Sequence, residues 1–400
     1  MEVKPDIETF AKIKVVGVGG SGGAAINRMI SFKIRGVEFL AVNTDAQALH
    51  HSRAPQKLHI GVNTTRGLGA GMDPEIGRKA VEENRDEVKE SLKGADMVFL
   101  TCGLGGGTGS GASPLVAELA REAGALTIAV VTKPFSFEGA QRRAIAERSH
   151  DELVDKVDAI ITIPNDRLLQ LIDKKTSLLE AFSIVDDVLH QGVQGISELV
   201  TVPGLINVDF ADVKAIMAGA GSALMGIGVA SGDNRASEAA KAAVDSPLLE
   251  LGIDGARGIL FTVTGGPDLS MYEVNEAARI ITAAADPNAK IIFGAVIDES
   301  LKDQIKITVI ATGFAQAAKK NQAAPALAVP PSAYTPSAFL KQERVPTAKR
   351  AEDSSFRERS LGGKPPLRES AGEGVSRAKP PTPDDDTYDI PAFIRRKLKT

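Results

Sequence analysis

The most informative segment of the chain is Gly103-Leu104-Gly105-Gly106-Gly107-Thr108-Gly109-Ser110-Gly111, which holds six glycines in nine residues. It follows an apolar run, Met97–Cys102, and precedes a helical pattern, Pro114–Ala123. A loop without side chains offers a nest of backbone N–H groups and a few hydroxyls, and such a nest suits phosphate. A flexible turn is the alternative interpretation, but a turn does not need this many glycines.

A second glycine run follows the apolar segment Ile13–Val18 and precedes a helical pattern at Ala24–Ile30. It is Gly17-Val18-Gly19-Gly20-Ser21-Gly22-Gly23, with the spacing G-x-G-x-x-G. Alone, this motif predicts a dinucleotide-binding Rossmann site, and Asp45 lies near the position expected for a ribose-binding carboxylate. Two phosphate-binding loops after neighbouring strands instead predict a polyphosphate ligand. No G-x-x-x-x-G-K-[ST] occurs, so the chain is not a P-loop enzyme.

Apolar strand-like runs alternate with helical patterns in the first half of the chain, which predicts an α/β fold with a doubly wound parallel sheet. Helices such as Glu75–Leu92 separate these runs. The predicted strands are Ile13–Val18, Val37–Val42, Met97–Cys102, Leu126–Thr132 and Ala159–Ile163.

One long helix follows, because apolar residues recur every three or four positions over about six turns. Ser177 and Glu180 form a capping box at its start, and Pro203-Gly204 ends it. The apolar positions are Leu178, Phe182, Val185, Leu189, Val193, Ile196 and Leu199.

A second α/β domain of roughly 110 residues is predicted beyond this helix, from the same alternation of patterns. Its strand candidates are Ala223–Ala230, Gly258–Thr264, Lys290–Ile297 and Ile305–Ala311. Its helix candidates are Val208–Met217, Arg235–Val244 and Ser270–Ala284. The predicted domains are 1–175, a nucleotide-binding domain; 176–202, the central helix; 203–316, the second domain, which opens with a loop at 203–212; 317–383, a disordered linker; and 384–400, a tail peptide.

The linker is predicted because 11 of the 21 prolines lie beyond residue 316, where charges are scattered and periodicity is absent. The tail differs, since Ile390, Phe393, Ile394 and Leu398 would share one helical face, with Pro391 in the first turn. A helix that folds into a partner's groove and a tail without a partner are both compatible with this pattern.

Composition excludes several classes of protein. A net charge of −4 argues against general binding to nucleic acid or anionic membranes, and the absence of Trp argues against stacking on single strands. The single cysteine, Cys102, permits no internal disulfide and fits a reducing cytosol. The longest uncharged stretch, Ala215–Gly232, is predicted to be a helix and a strand rather than a membrane span. No pair of histidines has metal-ligand spacing, so no protein metal ligands are expected.

Many collinear motifs make the chain resemble the tubulin/FtsZ family, and in particular the FtsZ GTPases of the bacterial division ring. Gly105–Gly111 resembles the signature loop of that family, with Ser110 where Thr is usual. The resemblance extends from about Lys12 to Gly313 and to the last dozen residues. It is carried further by Asn43-Thr44-Asp45, Gly69-Ala70-Gly71, Thr132-Lys133-Pro134-Phe135, Phe137-Glu138-Gly139, Ile163-Pro164-Asn165-Asp166 and Asn207-Val208-Asp209-Phe210-Ala211-Asp212.

The resemblance implies a tubulin-like fold that binds GTP or GDP, with Mg²⁺ held mainly by phosphates and waters. Phosphate contacts are implied through backbone N–H groups of both glycine runs, with Gly69–Gly71 closing over the terminal phosphate. The chain departs from the family at Ala24 and Ala25, where Asn is usual, although backbone contacts are still expected. The implied nucleotide-binding residues are Gly20, Ser21, Gly22, Gly23, Ala24, Asn43, Ala70, Gly71, Gly107, Thr108, Gly109, Thr132, Glu138, Arg142, Asn165, Phe182 and Asp186.

Several of these residues also have structural interpretations. Glu138 and Arg142, implied ribose and phosphate contacts, lie one helical turn apart and equally describe an ion pair at a helix start. Asn165, implied to contact guanine, is also a turn residue after Pro164. Phe182 suits the core by periodicity, while Asp186 suits an acidic surface. The resemblance instead implies that Phe182 stacks on the base and that Asp186 accepts from guanine N1–H and N2–H₂.

The family resemblance also assigns catalysis to Asn207, Asp209 and Asp212, on a loop that inserts into the next subunit of a head-to-tail polymer. Two carboxylates are what positioning a water requires, and helix N-capping is their structural alternative. The implied partners are further copies of the chain and, through tail residues Asp389–Lys397, membrane-tethering proteins similar to FtsA or ZipA. The implied location is the cytoplasm, at a mid-cell ring, without direct insertion into the membrane.

Two other functions are compatible with the glycine runs. An NAD-dependent oxidoreductase would use Gly17–Gly22, but the second domain shows no convincing hydride-site residues. A non-catalytic nucleotide-binding scaffold is disfavoured by the paired aspartates.

Overall fold

The structure is a computed structural model that describes residues 11–34, 36–168, 176–201, 204–206, 208–249 and 252–314. The chain divides into two compact units, Met1–Leu327 and Ala328–Thr400, and all described residues belong to the first. The predicted linker, the tail peptide and Asn207 lie outside the described residues. The domain boundaries drawn from the sequence stay a prediction.

Ten strands lie within the described ranges. They are β1 (Ile13–Val18), β2 (Val37–Asn43), β3 (Gln56–His59), β4 (Met97–Gly103), β5 (Leu126–Lys133), β6 (Ala159–Pro164), β7 (Gly221–Ser231), β8 (Gly258–Gly265), β9 (Lys290–Ile297) and β10 (Gln304–Thr312). The five strands predicted in the first half are confirmed to within one residue at each end. The short strand β3 was not expected, because its sequence Gln-Lys-Leu-His lacks an apolar run.

All ten strands form one sheet, in the order β3-β2-β1-β4-β5-β6-β7-β10-β8-β9. Neighbours from β3 to β7 are parallel, whereas β10 is antiparallel to both β7 and β8. Only Ala159–Ile161 of β6 pair with Gly221–Ala223 of β7, so a three-residue ladder joins the strands of the two predicted domains. The predicted α/β fold with a parallel-dominated sheet is confirmed.

The helices cover both faces of the sheet. They are α1 (Gly19–Ser31), α2 (Ala46–His51), α3 (Val62–Thr65), α4 (Pro74–Glu83), α5 (Arg85–Leu92), α6 (Gly107–Glu122), α7 (Ala140–Val154), α8 (Asn165–Leu168), α9 (Leu178–Thr201), α10 (Phe210–Met217), α11 (Arg235–Val244) and α12 (Met271–Ala283). A 3-10 turn, Ser136–Glu138, precedes α7. None of these helices has the length and apolarity needed to cross a membrane.

Strand β4 shows how the core is divided, because all of its residues except the last are buried. Met97 and Phe99 pack into a cluster with α1 and α9, while Val98 and Leu100 pack into a second cluster with α4, α5 and α6. Successive side chains of a strand point to opposite faces, so a continuous apolar run fills two cores. This arrangement fixes the carboxyl ends of the central strands between the two helix layers.

Helices α1 and α6 begin inside the glycine runs, at Gly19 and Gly107, rather than after them at Ala24 and Pro114 as the sequence predicted. Pro114 therefore lies inside α6. Proline lacks the N–H that would bond to the carbonyl of Ser110 four residues earlier. The Ser149 hydroxyl donates to that carbonyl instead, at 2.7 Å, so the helix continues through the proline.

The helix predicted over Glu75–Leu92 is wrong in one respect, because it divides at Asn84 into α4 and α5. The Asn84 side-chain oxygen accepts from the backbone N–H of Gly61 at 2.8 Å. A contact 23 residues away in the chain thus fixes the break, and helical periodicity does not reveal it. The capping box of Ser177 and Glu180 at the start of α9 is confirmed, with bonds of 2.7 and 3.2 Å.

Candidate nucleotide-binding site

A cavity of about 650 Å³ opens at the carboxyl ends of β1, β4, β5 and β6. In open α/β sheets, this is the edge at which ligands bind. Its wall is formed by Val18, Gly20, Ser21, Ala24, Asn43, Asp45, Ala48, Gly69, Ala70, Gly71, Gly103, Leu104, Gly106, Gly107, Thr108, Gly109, Thr132, Pro134, Glu138, Arg142, Asn165, Phe182, Val185, Asp186 and Leu189. Most of the nucleotide-binding residues implied by the sequence are thus brought together.

Two helix N-termini meet at this cavity. The N-cap residues of α1 and α6 are Val18 and Gly106, and neither gives a side-chain capping hydrogen bond. The first N–H groups of both helices therefore keep their hydrogen-bonding capacity, and both helix dipoles favour an anion here. A Cβ added at Gly19 would lie 3.0 Å from the Gly109 nitrogen, so only glycine allows the two starts to approach this closely. The pair is suited to a polyphosphate.

Gly22 and Gly23 do not line the cavity. A Cβ at Gly22 would lie 2.5 Å from the Thr101 carbonyl oxygen, so this glycine lets α1 pack against β4. Gly23 lines a smaller side pocket of about 160 Å³, which shares Gly20 and Ala24 with the main cavity. The phosphate contacts implied for Gly22 and Gly23 stay a prediction.

Gly111 serves packing rather than ligand contact. A Cβ at this position would lie 1.8 Å from the carbonyl oxygen of Pro74, so its absence allows α4 and α6 to cross closely. The neighbouring Ser110 is 1% exposed, and its hydroxyl accepts from the Gly105 N–H at 2.8 Å. Ser110 thus holds the shape of the loop from within.

The loop between α3 and α4 forms one side of the cavity through Gly69, Ala70 and Gly71. Gly69 and Gly71 have φ angles of 83° and 56°, a region that glycine adopts without strain. The Gly69 N–H donates to the Thr44 carbonyl at 3.3 Å, and the Asp73 N–H donates to the Ala70 carbonyl at 2.9 Å. These bonds place the peptide groups of the loop next to the start of α6.

Glu138 and Arg142 form an ion pair of 2.7 Å across Gly139, and both line the cavity. Glu138 also accepts from the Phe135 N–H at 2.9 Å, which fixes the 3-10 turn. The structural interpretation as a helix-start ion pair is therefore correct in its geometry. The same geometry presents the carboxylate and the guanidinium to the cavity.

Phe182 and Asn165 also line the cavity. Phe182 is 42% exposed and meets Phe135 edge-on at 5.7 Å between ring centres, so it is not a core residue as its periodicity suggested. Asn165 is 5% exposed, and its side-chain oxygen is buried without a hydrogen-bond partner among the described residues. An unpaired buried acceptor is costly, which indicates that a donor from a ligand completes it.

Asp186 lies beside these residues, one helical turn after Phe182. Burial raises the pKa of Asp186 to about 6, while the nearby Arg28 guanidinium opposes the rise and Asp187 adds to it. Arg28 is held by two bonds to Asp187, of 2.8 and 3.1 Å. Asp186 is thus a half-buried carboxylate that faces the cavity with no protein donor bonded to it within the described structure.

Asp45 lines the cavity, although the sequence assigned it a ligand contact only under the Rossmann interpretation. Its side chain accepts from the N–H groups of Gln47 and Ala48 at 2.8 and 3.2 Å and so caps α2. Asn43, which was expected, accepts from the Asp45 N–H at 3.2 Å. The cavity wall also includes three apolar residues that polar sequence motifs do not reveal, Pro134, Val185 and Leu189.

Asp209 and Asp212 lie on a different part of the molecule and do not line the cavity. Both are exposed, and Asp209 occupies the N-cap position of α10 without a side-chain capping bond. Helix α9 separates the two aspartates from the cavity. The helix starts at the cavity, and its last residue, Thr201, contacts Gly36, just before the amino end of β2. After α10, Gly221 bonds to the Asp158 carbonyl at the amino end of β6. The segment that carries the aspartates therefore starts and ends near the amino edge of the parallel strands.

Comparison with known proteins identifies the family. A model of the GTPase domain of the Tubulin/FtsZ family matches residues 12–173, and a model of the C-terminal domain of the FtsZ family matches residues 221–315. An FtsZ from M. jannaschii, solved as an empty dimer, is 46% identical with a TM-score of 0.74, over 77% of this chain and 90% of that one. The chain belongs to the tubulin/FtsZ family. It is a GTP-binding, self-associating GTPase of the tubulin-like class that serves cell division, and an NAD-dependent oxidoreductase finds no support.

Two further solved structures share this fold, one at the same sequence identity and one at a lower identity. A single-residue mutant of M. jannaschii FtsZ is also 46% identical, with a TM-score of 0.74, over 76% of this chain and 92% of that one. CetZ2 from Haloferax volcanii, solved as a GTPγS-bound protofilament, is 23% identical with a TM-score of 0.65, over 77% and 96%. At that identity the likeness concerns the fold alone.

Proposed function

We propose that this chain hydrolyses GTP only when it is assembled head to tail, with the cavity of one subunit completed by Asp209 and Asp212 of the next. The observation that carries this proposal is the separation of two half-sites. The cavity offers donors for phosphate and groups for a base, whereas the exposed carboxylates lie beyond the other end of α9. A head-to-tail contact is heterologous and produces open filaments.

The length of α9 explains why one chain does not supply both halves. The helix has 24 residues, which corresponds to about 36 Å at 1.5 Å per residue. Phe182 and Asp186 near its start line the cavity, and its last residue, Thr201, is followed by the segment that leads to Asp209. Stacked copies bring the α10 end of one subunit to the cavity of its neighbour.

The cavity accommodates GTP in one orientation. The phosphates bind to the N–H groups at the starts of α1 and α6, where both helix dipoles favour negative charge. Glu138 and Arg142 contact the ribose and flank the phosphates. The guanine stacks on Phe182, and its N–H donors bond to Asp186 and to the unpaired side-chain oxygen of Asn165. Adenine lacks this pair of donors.

The hydrolysis step is an in-line displacement at the γ-phosphorus. The oxygen of a water forms the new P–O bond while the bond to the β–γ bridging oxygen breaks, and GDP leaves. Asp209 and Asp212 of the neighbouring subunit orient this water and accept its proton, with Asn207 as a further contact. Backbone N–H groups of the two glycine-rich helix starts hold the phosphates during the transfer.

Mg²⁺ fits this site only as a phosphate-bound ion. The described residues contain no group of three or more His, Cys, Asp or Glu side chains arranged around one point. At the cavity, Asn43 Oδ1 and Asp45 Oδ1 already accept backbone N–H bonds, and the Glu138 carboxylate is paired with Arg142. Most ligands of Mg²⁺ would thus be phosphate oxygens and waters. When bound, it would neutralise charge on the phosphates.

The biological setting follows from the family and from the sequence of the tail. An FtsZ relative at 46% identity was solved as a dimer, which supports self-association of this chain. We infer a cytoplasmic filament at a mid-cell division ring. Residues Asp389–Lys397 would bind membrane-tethering proteins similar to FtsA or ZipA, because an amphipathic peptide that folds on binding suits a partner's groove.

Light scattering after addition of GTP, GDP, ATP or NAD tests this function. We expect a rise with GTP alone, followed by decay as phosphate is released. Phosphate release per subunit should increase with protein concentration above a threshold. Scattering that does not depend on the nucleotide, or phosphate release proportional to protein concentration from the lowest values, would contradict it.

A further inference from the structure

Thr44 and Thr108 form a buried pair of hydroxyl groups at the wall of the cavity. Their oxygens are 2.6 Å apart, and either oxygen can be the donor. Thr44 is 0% exposed and does not line the cavity, whereas Thr108 is 8% exposed and does. We propose that Thr44 is a positioning residue for GTP, because it directs the hydroxyl proton of Thr108 towards the phosphates. This inference rests on the proposed GTP site.

Counting donors and acceptors leads to this assignment. A hydroxyl has one proton and two lone pairs. Within the described structure, the only hydrogen bond that either hydroxyl makes is the one to the other. A phosphate oxygen carries no proton to give, so Thr108 must donate to it. The Thr108 oxygen then accepts from Thr44, and the chain runs Thr44 O–H to Thr108 O–H to phosphate oxygen.

Thr44 is suited to this role because hydrogen bonds to its backbone carbonyl fix its position. Its carbonyl accepts from the Thr65 hydroxyl at 3.2 Å and from the Gly69 N–H at 3.3 Å. Thr44 thus joins the turn after β2 to the Gly69–Gly71 loop and to the start of α6. A hydroxyl that accepts a hydrogen bond becomes a stronger donor, so Thr44 also strengthens the bond from Thr108 to phosphate.

The test compares Thr44→Val with Thr44→Ser by calorimetric titration with GTP and by competition with guanosine. Valine keeps the shape and removes the donor, whereas serine keeps the donor. We expect Thr44→Val to bind GTP about fivefold to twentyfold more weakly and guanosine as the wild type does. Thr44→Ser should bind both ligands within about twofold of the wild type. Thr44→Ala gives the same comparison if the valine variant does not fold.

Two controls separate positioning from general destabilisation. Thr127→Val removes another fully buried hydroxyl, which donates to the Ala125 carbonyl at 3.1 Å on β5, and it should leave GTP affinity unchanged. In a Thr108→Val background, Thr44→Val should cause no further loss of GTP affinity, because the second link of the chain is already missing.

Four results would overturn the inference: an equal loss for guanosine and GTP, a serine variant as weak as the valine variant, additive effects in the double variant, or a valine variant with unchanged GTP affinity. Failure of the proposed function is distinguishable from these. In that case the wild type itself would bind GTP no better than guanosine. A wild type that prefers GTP, together with any of the four results, refutes the role of Thr44 and leaves the proposed GTP site intact.

Discussion

The two ends of α9 are built in different ways. At its start, the cavity is enclosed by glycine-rich helix starts and by side chains that already bond to each other, such as Glu138 and Arg142. Beyond its end, Asp209 and Asp212 are exposed, and Asp209 makes no capping bond. The first region is organised within one chain to hold a ligand. The second has exposed carboxylates that lie away from the cavity, and this contrast is the basis of the proposal that binding and hydrolysis need different numbers of subunits.

Asp212→Ala is the strongest test of that contrast. Binding of GTP should be unchanged, because the groups proposed to hold the phosphates are backbone N–H groups, but hydrolysis in assembled protein should fall by about 10²–10⁴-fold. Titration calorimetry and phosphate release measure the two quantities separately. Asp151→Ala, at an exposed carboxylate on α7, is the control and should behave as the wild type.

Mixtures of the variant with the wild-type protein test this prediction further. Adding Asp212→Ala protein to the wild type should lower phosphate release per wild-type subunit, since each variant neighbour supplies an inactive half-site. A variant that is inactive alone but leaves the wild type unaffected in mixtures would show that the site is complete within one chain.

Asp186→Ala tests whether the start of α9 selects the base. We expect GTP affinity to fall by roughly 10–100-fold, with little change for ATP, because hydrogen bonds to a charged acceptor contribute about 1.5–3 kcal/mol. Asp187→Asn is the matched control, since Asp187 bonds to Arg28 and does not line the cavity. Equal GTP and ATP affinities in the control, or unchanged affinities in Asp186→Ala, would assign guanine selection to another residue.

The pH dependence of binding tests the same carboxylate. Burial raises the pKa of Asp186 to about 6, so the group becomes neutral as the pH falls below that value. Guanine donors bind the ionised form, and GTP affinity should therefore decrease about tenfold per pH unit below the pKa of about 6. Phosphate groups of the nucleotide also titrate, but Asp186→Ala retains their contribution. The slope that disappears in this variant is the slope due to Asp186.

The same pKa shift affects stability with a defined sign. A carboxyl whose pKa is raised in the folded state binds more protons there than in the unfolded chain. Between the ordinary Asp value and about 6, its contribution to the free energy of unfolding therefore decreases as the pH rises. Bound GTP opposes this, because it favours the ionised form.

Removal of residues 384–400 should have the smallest effect on the isolated protein. Hydrolysis and assembly in solution should stay within about twofold of the wild type, because neither half-site includes the tail. Cosedimentation with vesicles that carry a tethering protein should be lost. A truncated protein that fails to assemble in solution would place the tail in the filament contact instead.

The sequence predicted the strands well and the ligand-facing residues less completely. The apolar runs around Val15 and Phe99 fill two cores, and such runs define a strand by themselves. In contrast, Gly20 and Gly22 look equivalent in a motif, yet Gly20 faces the cavity and Gly22 packs against Thr101. Successive helical residues point about 100° apart, so the packing of α1 against β4 decides which glycine faces the ligand.

Tertiary contacts explain the other differences. The break at Asn84 depends on its bond to Gly61, and the continuation of α6 through Pro114 depends on Ser149, whose hydroxyl supplies the donor that Pro114 lacks. The position of Asp45 in the cavity depends on the turn after β2, which the spacing of the glycine motif does not specify. The position of β10 between β7 and β8 likewise depends on how the strands pair. The periodicity of a single strand does not predict its neighbours in the sheet.

The wall of the cavity that we propose binds phosphate also has a genetic consequence, since it is made of main chain. A side-chain contact is lost with almost any substitution of its residue, whereas among the twenty residues only proline removes a backbone N–H group. Mutations here act by obstruction, because a Cβ at Gly107 would lie 2.8 Å from that of Ala70 and one at Gly109 2.8 Å from the Gly103 carbonyl oxygen. Substitutions of these glycines should therefore abolish nucleotide binding completely. Substitutions of Phe182, Asp186 or Asn165 should reduce nucleotide affinity by different amounts. The preference for the base can therefore change during evolution, while the affinity for the phosphates stays almost constant.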